Sequence, residues 1–123
     1  MGLIIKEIGI LGSKNKFKRL KALFDTGATR NYISNHFSDN ESVDDIGIIE
    51  YKGKDFVIFP DGFEKMGSII SFKLLKVENI PLENPEFFLL DMKMYDVIIG
   101  ALLMQEMGII LNPYIKEISF CKY

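Results

Sequence analysis

Apolar and polar residues change places along this chain on a short period. Runs of about four to eight residues rich in Ile, Val, Leu and Phe are divided by clusters of Gly, Pro, Asn and Asp, the texture of a β-rich chain. Residues 3–10 read as a first strand, Gly12-Ser13-Lys14-Asn15 as a turn, and residues 17–24 as a second strand with Lys18, Arg19 and Lys21 on its wetter side. Asn31 to Ser34 reads as a short return strand, with Ser34 placed to cap a turn of helix through His36 and Phe37. Residues 38–45 are polar and acidic and read as a surface loop.

Residues 46–51 and 54–59 read as two strand-like pieces parted by Lys52-Gly53. Asp61-Gly62 then lies between Phe56-Val57-Ile58-Phe59 and a run from Ile69 to Leu74, and Asp-Gly between two such runs signals a hairpin tip. Pro81 and Pro85 punctuate the next connection, and residues 87–90 and 95–99 are short strands, the second stopping at Gly100. Residues 101–107 consist of good helix formers and end at Gly108, which makes them the one expected helix. Residues 109–111 and 114–120, broken at Asn112-Pro113, supply the last strands. The pattern predicts a mainly all-β chain, a single domain over residues 1–123, with one short C-terminal helix.

Composition narrows the partners. With 123 residues, 48% apolar and 26% charged, the chain matches an ordinary globular domain. Its net charge of −2 and the lack of a basic run give no pull towards nucleic acid or an anionic membrane. No apolar run approaches the ~20 residues that span a bilayer. The segment Met1 to Glu7 carries charge too early for a signal peptide, and the lone Cys121 rules out an intrachain disulfide. Together these lead to the expectation of a cytoplasmic protein.

Chemistry concentrates at the end of the second strand. Leu23-Phe24-Asp25-Thr26-Gly27-Ala28 carries an apolar strand into an Asp flanked by a hydroxyl and a glycine. Far downstream, Val97-Ile98-Ile99-Gly100 is followed by Ala101-Leu102-Leu103-Met104. The bland reading of Asp25 is a turn residue satisfied by its own backbone. Gly100 reads equally as a packing and helix-start glycine. His36 reads as a surface residue, the acidic run from Asp39 to Asp45 lacks the ligand spacing of a calcium loop, and Met92, Met94, Met104 and Met107 read as core filler or interface. No metal or other cofactor is expected.

Taken together, these segments resemble the signatures of the retropepsin-like aspartic proteases, the single-lobed, retroviral-type branch of that family. The first segment is similar to its apolar-apolar-Asp-Thr-Gly-Ala signature. The second, beginning at Ile98-Ile99-Gly100, resembles its apolar-apolar-Gly-x-x-apolar-apolar signature. The Asp61-Gly62 hairpin, about residues 56–68, lies between them, where the family carries its flap. The resemblance covers roughly residues 3–120. It implies a closed β-barrel of the acid-protease type and a two-fold symmetric homodimer, because the chain holds one Asp-Thr-Gly and the chemistry needs two carboxylates.

The same resemblance implies an aspartic endopeptidase acting on a peptide or protein substrate. Asp25 would be catalytic, and Thr26, Gly27, Ala28, Ile99 and Gly100 would support its loop. Thr29, Arg30, Phe59, Asp61, Gly62 and Phe63 would meet substrate from the loop and the flap. In the family the Thr after Asp hydrogen-bonds across the dimer, and the Gly lets the substrate backbone approach. The sequence departs from viral members in a bulkier, charged flap tip (Pro60, Phe63, Glu64) and in Thr29-Arg30, where some relatives carry an acidic pair. Two other readings stand beside it: a catalytically silent peptide-binding or dimerisation module on the same scaffold, and an unrelated small β-barrel.

Overall fold

A computed structural model describes residues 3–58 and 62–121. Eleven strands and two helices follow one another among the described residues: β1 (Ile4–Leu11), β2 (Phe17–Phe24), β3 (Tyr32–Ser34), α1 (Val43–Ile46), β4 (Glu50–Ile58), β5 (Glu64–Ser71), β6 (Leu74–Val77), β7 (Ile80–Glu83), β8 (Glu86–Leu90), β9 (Val97–Ile99), α2 (Ala101–Met107), β10 (Ile109–Asn112) and β11 (Glu117–Phe120). The first nine strands form one sheet in the order β4-β5-β8-β3-β9-β2-β1-β6-β7, and β10 and β11 pair separately.

The centre of the sheet explains the apolar runs. β9 pairs parallel with β2, Phe24 facing Ile99, and antiparallel with β3 on its other side. β3 in turn pairs parallel with β8. Strands covered on both faces need continuous apolar sequence, and β9 is Val-Ile-Ile with Val97 and Ile99 fully buried. β2 alternates at its start and is buried throughout Ala22–Phe24, where it enters this centre. The core closes with Ile33, Ile70 and an edge-to-face pair, Phe72 and Phe87, with ring centroids 5.7 Å apart.

The sheet is open, not a closed barrel. Its edges are β4 and β7, which do not pair with each other. β4 is exposed at every position except the half-buried Val57, and it carries Glu50, Lys52, Lys54 and Asp55. β7 carries Pro81, which has no N–H to donate to another strand. Charges and proline both discourage edge pairing, and here they leave both ends free.

The expected helical turn at His36-Phe37 is absent, and a second helix forms inside the stretch read as a loop. Ser34 lies buried in β3, its Oγ accepting from the Met92 N–H at 3.2 Å and donating to the Met92 carbonyl at 3.1 Å. Ser42 is the capping residue instead. Its Oγ accepts from the Asp44 N–H at 3.3 Å, and its own N–H donates to Asp45 Oδ2 at 2.8 Å, a reciprocal capping box. Val43 and Ile46, three apart, bury one face of this short helix.

Lys52-Gly53 parts nothing: β4 runs from Glu50 through a bulge at Tyr51/Gly53, and Gly53 adopts φ 120° there. β5 starts at Glu64, earlier than its apolar run. α2 falls where the sequence placed it, and Gly108 ends it in the left-handed region at φ 71°.

Candidate functional site

Asp25 stands just beyond the end of β2, half-buried, with its backbone still in the sheet: its N–H donates to the Ile99 carbonyl at 2.9 Å. The chain then turns sharply. The Ala28 N–H donates to the Asp25 carbonyl at 3.1 Å, and the Gly27 N–H donates to Asp25 Oδ1 at 2.9 Å. This turn fixes one carboxylate oxygen through backbone, and Asp25 lines a cleft.

Residues 28–31 are held by the start of α2. The first N–H groups of a helix have no partner within it. Here the Ala101 N–H donates to the Ala28 carbonyl at 2.7 Å and the Leu102 N–H to the Thr29 carbonyl at 3.3 Å. Gly100 makes that approach possible. A Cβ at this position would lie 2.3 Å from the Arg30 carbonyl oxygen and 2.7 Å from that of Ala28. Ile99, fully buried, and Gly100 therefore brace the Asp25 loop from behind.

The sequence reading missed Asn31, which ties the brace together. Its Oδ1 accepts from the Gly100 N–H at 3.0 Å, its Nδ2 donates to the Glu86 carbonyl at 3.1 Å, and its own carbonyl accepts from the Phe88 N–H at 2.8 Å. One amide side chain thereby links the loop, α2 and β8. A single Asn between Arg30 and Tyr32 carries no local signal of such a role.

A cleft of about 400 Å³ opens over Asp25. It is lined by Gly27, Ala28 and Thr29 of the loop, by Tyr32, Leu90 and Ile98 of the sheet centre, and by Val57 and Ile58 of the β4–β5 hairpin. Burial pushes the Tyr32 phenol above its ordinary value, against the opposing charge of Arg30, so the hydroxyl there is neutral. Thr26 is exposed beside Asp25.

The structure separates the remaining sequence candidates. Thr29 lines the cleft, whereas Arg30 does not and pairs with Asp55 of the hairpin at 3.0 Å. Gly62, at φ 87°, and Phe63 are both exposed on the return side of the hairpin. Phe59 and Asp61 lie outside the described residues. Among the described residues, no three His, Cys, Asp or Glu side chains gather as a metal-binding group. No helix among them is long and apolar enough to cross a membrane.

The fold that carries this turn and its brace is retropepsin-like. The chain is similar in structure to the retroviral protease-like domain of Ddi1 from Leishmania major, with a TM-score of 0.63 at 11% identity over 100% of this chain and 91% of that one. It is also similar to a retropepsin-like aspartic protease from Rickettsia conorii (TM-score 0.51, 12% identity, 91% of this chain and 89% of that one). A protein of unknown function from Legionella pneumophila, Lpg0085 (DUF785), is similar too (TM-score 0.53, 13% identity, 90% of this chain and 91% of that one). At these identities the likeness is one of fold. No family profile and no curated sequence matches the chain.

Proposed function

We propose that this protein is an aspartic endopeptidase assembled as a two-fold homodimer, each copy giving one Asp25 to a shared site. The observation that carries the reading is the clamp on Asp25: its N–H on Ile99, its Oδ1 on the Gly27 N–H and its loop carbonyls on the N–H groups of α2. That much backbone preorganisation is what a carboxylate needs if it is to act from a fixed position in a cleft. The retropepsin-like fold of the neighbours supports the same reading.

Two carboxylates about 3 Å apart cannot both ionise, so the pair holds one proton between them. The ionised Asp takes a proton from a water molecule as its oxygen bonds to the scissile carbonyl carbon. The protonated Asp gives its proton to the carbonyl oxygen, which leaves a neutral tetrahedral intermediate. One Asp then takes back a hydroxyl proton while the amide nitrogen accepts a proton from the other, and the C–N bond breaks to give a carboxylic acid and an amine. No metal or cofactor takes part. In this reading Thr26, exposed next to Asp25, hydrogen-bonds to the second copy, and Gly27 admits the peptide backbone.

The β4–β5 hairpin is read as the flap, holding an extended peptide by backbone pairing and keeping water out. A peptide or protein is the substrate, and with one cysteine in the chain the setting is the reducing cytoplasm.

Asp25→Asn is the decisive variant. Cleavage of a peptide library at acidic to mildly acidic pH should vanish, with thermal unfolding unchanged. Turnover equal to that of the unsubstituted protein would refute the reading. Tight binding of a mimic of the tetrahedral intermediate by a protein that cleaves nothing would identify a peptide-binding module instead.

A further inference from the structure

Arg30 points to a feature at the root of the hairpin. Its Nη2 donates to Asp55 Oδ2 at 3.0 Å, and its guanidinium carbon stands 5.7 Å from the centroid of the Phe88 ring. Phe88 is 2% exposed and is anchored through its N–H to the Asn31 carbonyl. The same ring occupies the space that a side chain on Gly67 would need, since a Cβ there would lie 2.1 Å from Phe88 Cε1. Gly67 is the residue directly opposite Asp55 in the β4–β5 ladder. Three segments thus meet around one ring: the Asp25 loop through Arg30, β8 through Phe88, and the hairpin through Gly67 against the ring and Asp55 bonded to Arg30.

The place of this cluster in the ladder gives it meaning. β5 pairs with β8 only as far as Ser68, which faces Leu89. β4 and β5 go on pairing with each other as far as Ile58 and Glu64. Lys54 opposite Ser68 is the last rung attached to the sheet, and Asp55 opposite Gly67 is the first rung beyond it. Past that rung the hairpin continues as an arm whose Val57 and Ile58 line the Asp25 cleft. Beyond that rung a long side-chain hydrogen bond, from Lys65 Nζ to the Asp91 carbonyl at 3.4 Å, ties the arm to the rest of the chain, so its angle is set chiefly at the first free rung.

We propose that Arg30 and Asp55 are positioning residues, a clasp seated on Phe88 that fixes the angle of the hairpin over the Asp25 cleft. Direct linkage to the loop that carries Asp25 keeps the arm and the carboxylate in register. The glycine at 67 belongs to the device, because only a residue without a Cβ lets the ring sit between the hairpin and Arg30. It also gives the Arg30 charge a partner within the chain, so that its role is not to read substrate charge.

The test compares Arg30→Asp, Asp55→Arg and the double swap with the unsubstituted protein. Amide hydrogen exchange over residues 53–58 is one readout and kcat/KM on a cleaved peptide is the other. Each single reversal should speed exchange in the arm about three- to fivefold, the size an exposed ion pair supplies, and lower kcat/KM by a similar factor. The double swap should return both towards their starting values, which a general loss of packing would not do. Thermal unfolding should move little, as both side chains are partly exposed.

Arm exchange at the unsubstituted rate in either single variant, or a double swap carrying the summed defects of both, would overturn the proposal. Only the kinetic arm rests on the peptidase reading. If the unsubstituted protein cleaves no peptide while the exchange pattern holds, that reading falls and the clasp stands.

Discussion

At Gly100 a single methyl group would strike the loop that carries Asp25. The atoms a Cβ would strike, the carbonyl oxygens of Arg30 and Ala28 at 2.3 and 2.7 Å, are backbone and cannot rotate away. Gly100→Ala should therefore destabilise the fold by about 1–3 kcal/mol, seen as a lower denaturation midpoint. Because the displaced backbone is the loop that holds Asp25, activity should fall further than stability does, by around a hundredfold. Asn31→Ala acts on the same brace by another route, leaving the buried Gly100 N–H without its acceptor, at a cost of about 1–3 kcal/mol by chemical denaturation. Asp25 and Gly100 were both legible in the sequence because each sits in a patterned run, apolar residues before Asp-Thr-Gly and before Gly. Asn31 was not, because what distinguishes it is three contacts with residues 55 to 69 positions away.

At the scale of elements, α1 shows how little sequence a real helix needs when its end is capped and two residues are buried. Ser42→Ala should cost about 1 kcal/mol in thermal unfolding, through loss of the hydroxyl acceptor for the Asp44 N–H. The acidic run around it favoured a loop reading, and the burial of Val43 and Ile46 overrode that preference. The hairpin carries a prediction in pH. The N–H of Phe56 and then the Arg30 guanidinium hold the Asp55 carboxyl below its usual value of 3.8. A carboxylate depressed by folding contributes stability that is present above its unfolded value and lost as pH falls through its folded one. Amide protection in residues 53–58 should thus hold steady from neutral pH down to about 4 and weaken only below that. Loss of protection already between pH 6 and 5 would exclude Asp55 as the group responsible.

At the scale of the whole molecule, one Asp-Thr-Gly per chain makes assembly a requirement of the proposed chemistry. Sedimentation should give a mass near twice 14.1 kDa at concentrations where the protein is active. Activity per chain should fall on dilution through the dimer dissociation constant. Equal mixing with Asp25→Asn chains, after exchange of subunits, should leave about one quarter of the starting activity, because only dimers with two intact carboxylates turn over. Activity that stays at one half would mean that each copy works alone.

The sequence by itself determined the strand-rich texture, the end of β2 at Asp25, the helix over 101–107 and its stop at Gly108. These are local: side-chain periodicity, helix propensity and a glycine that accepts a left-handed backbone act within a few residues. Only the tertiary structure decided that β9 runs parallel beside β2, that the nine-stranded sheet stays open, that Asn31 ties loop to helix and that Arg30 faces Asp55. Each of these joins residues far apart in the chain, and which of many similar apolar runs becomes a neighbour is settled by the packing of the whole core. The 23–28 stretch could point to the carboxylate, but only residues 97–102, folded against it, fix its loop at the edge of a cleft.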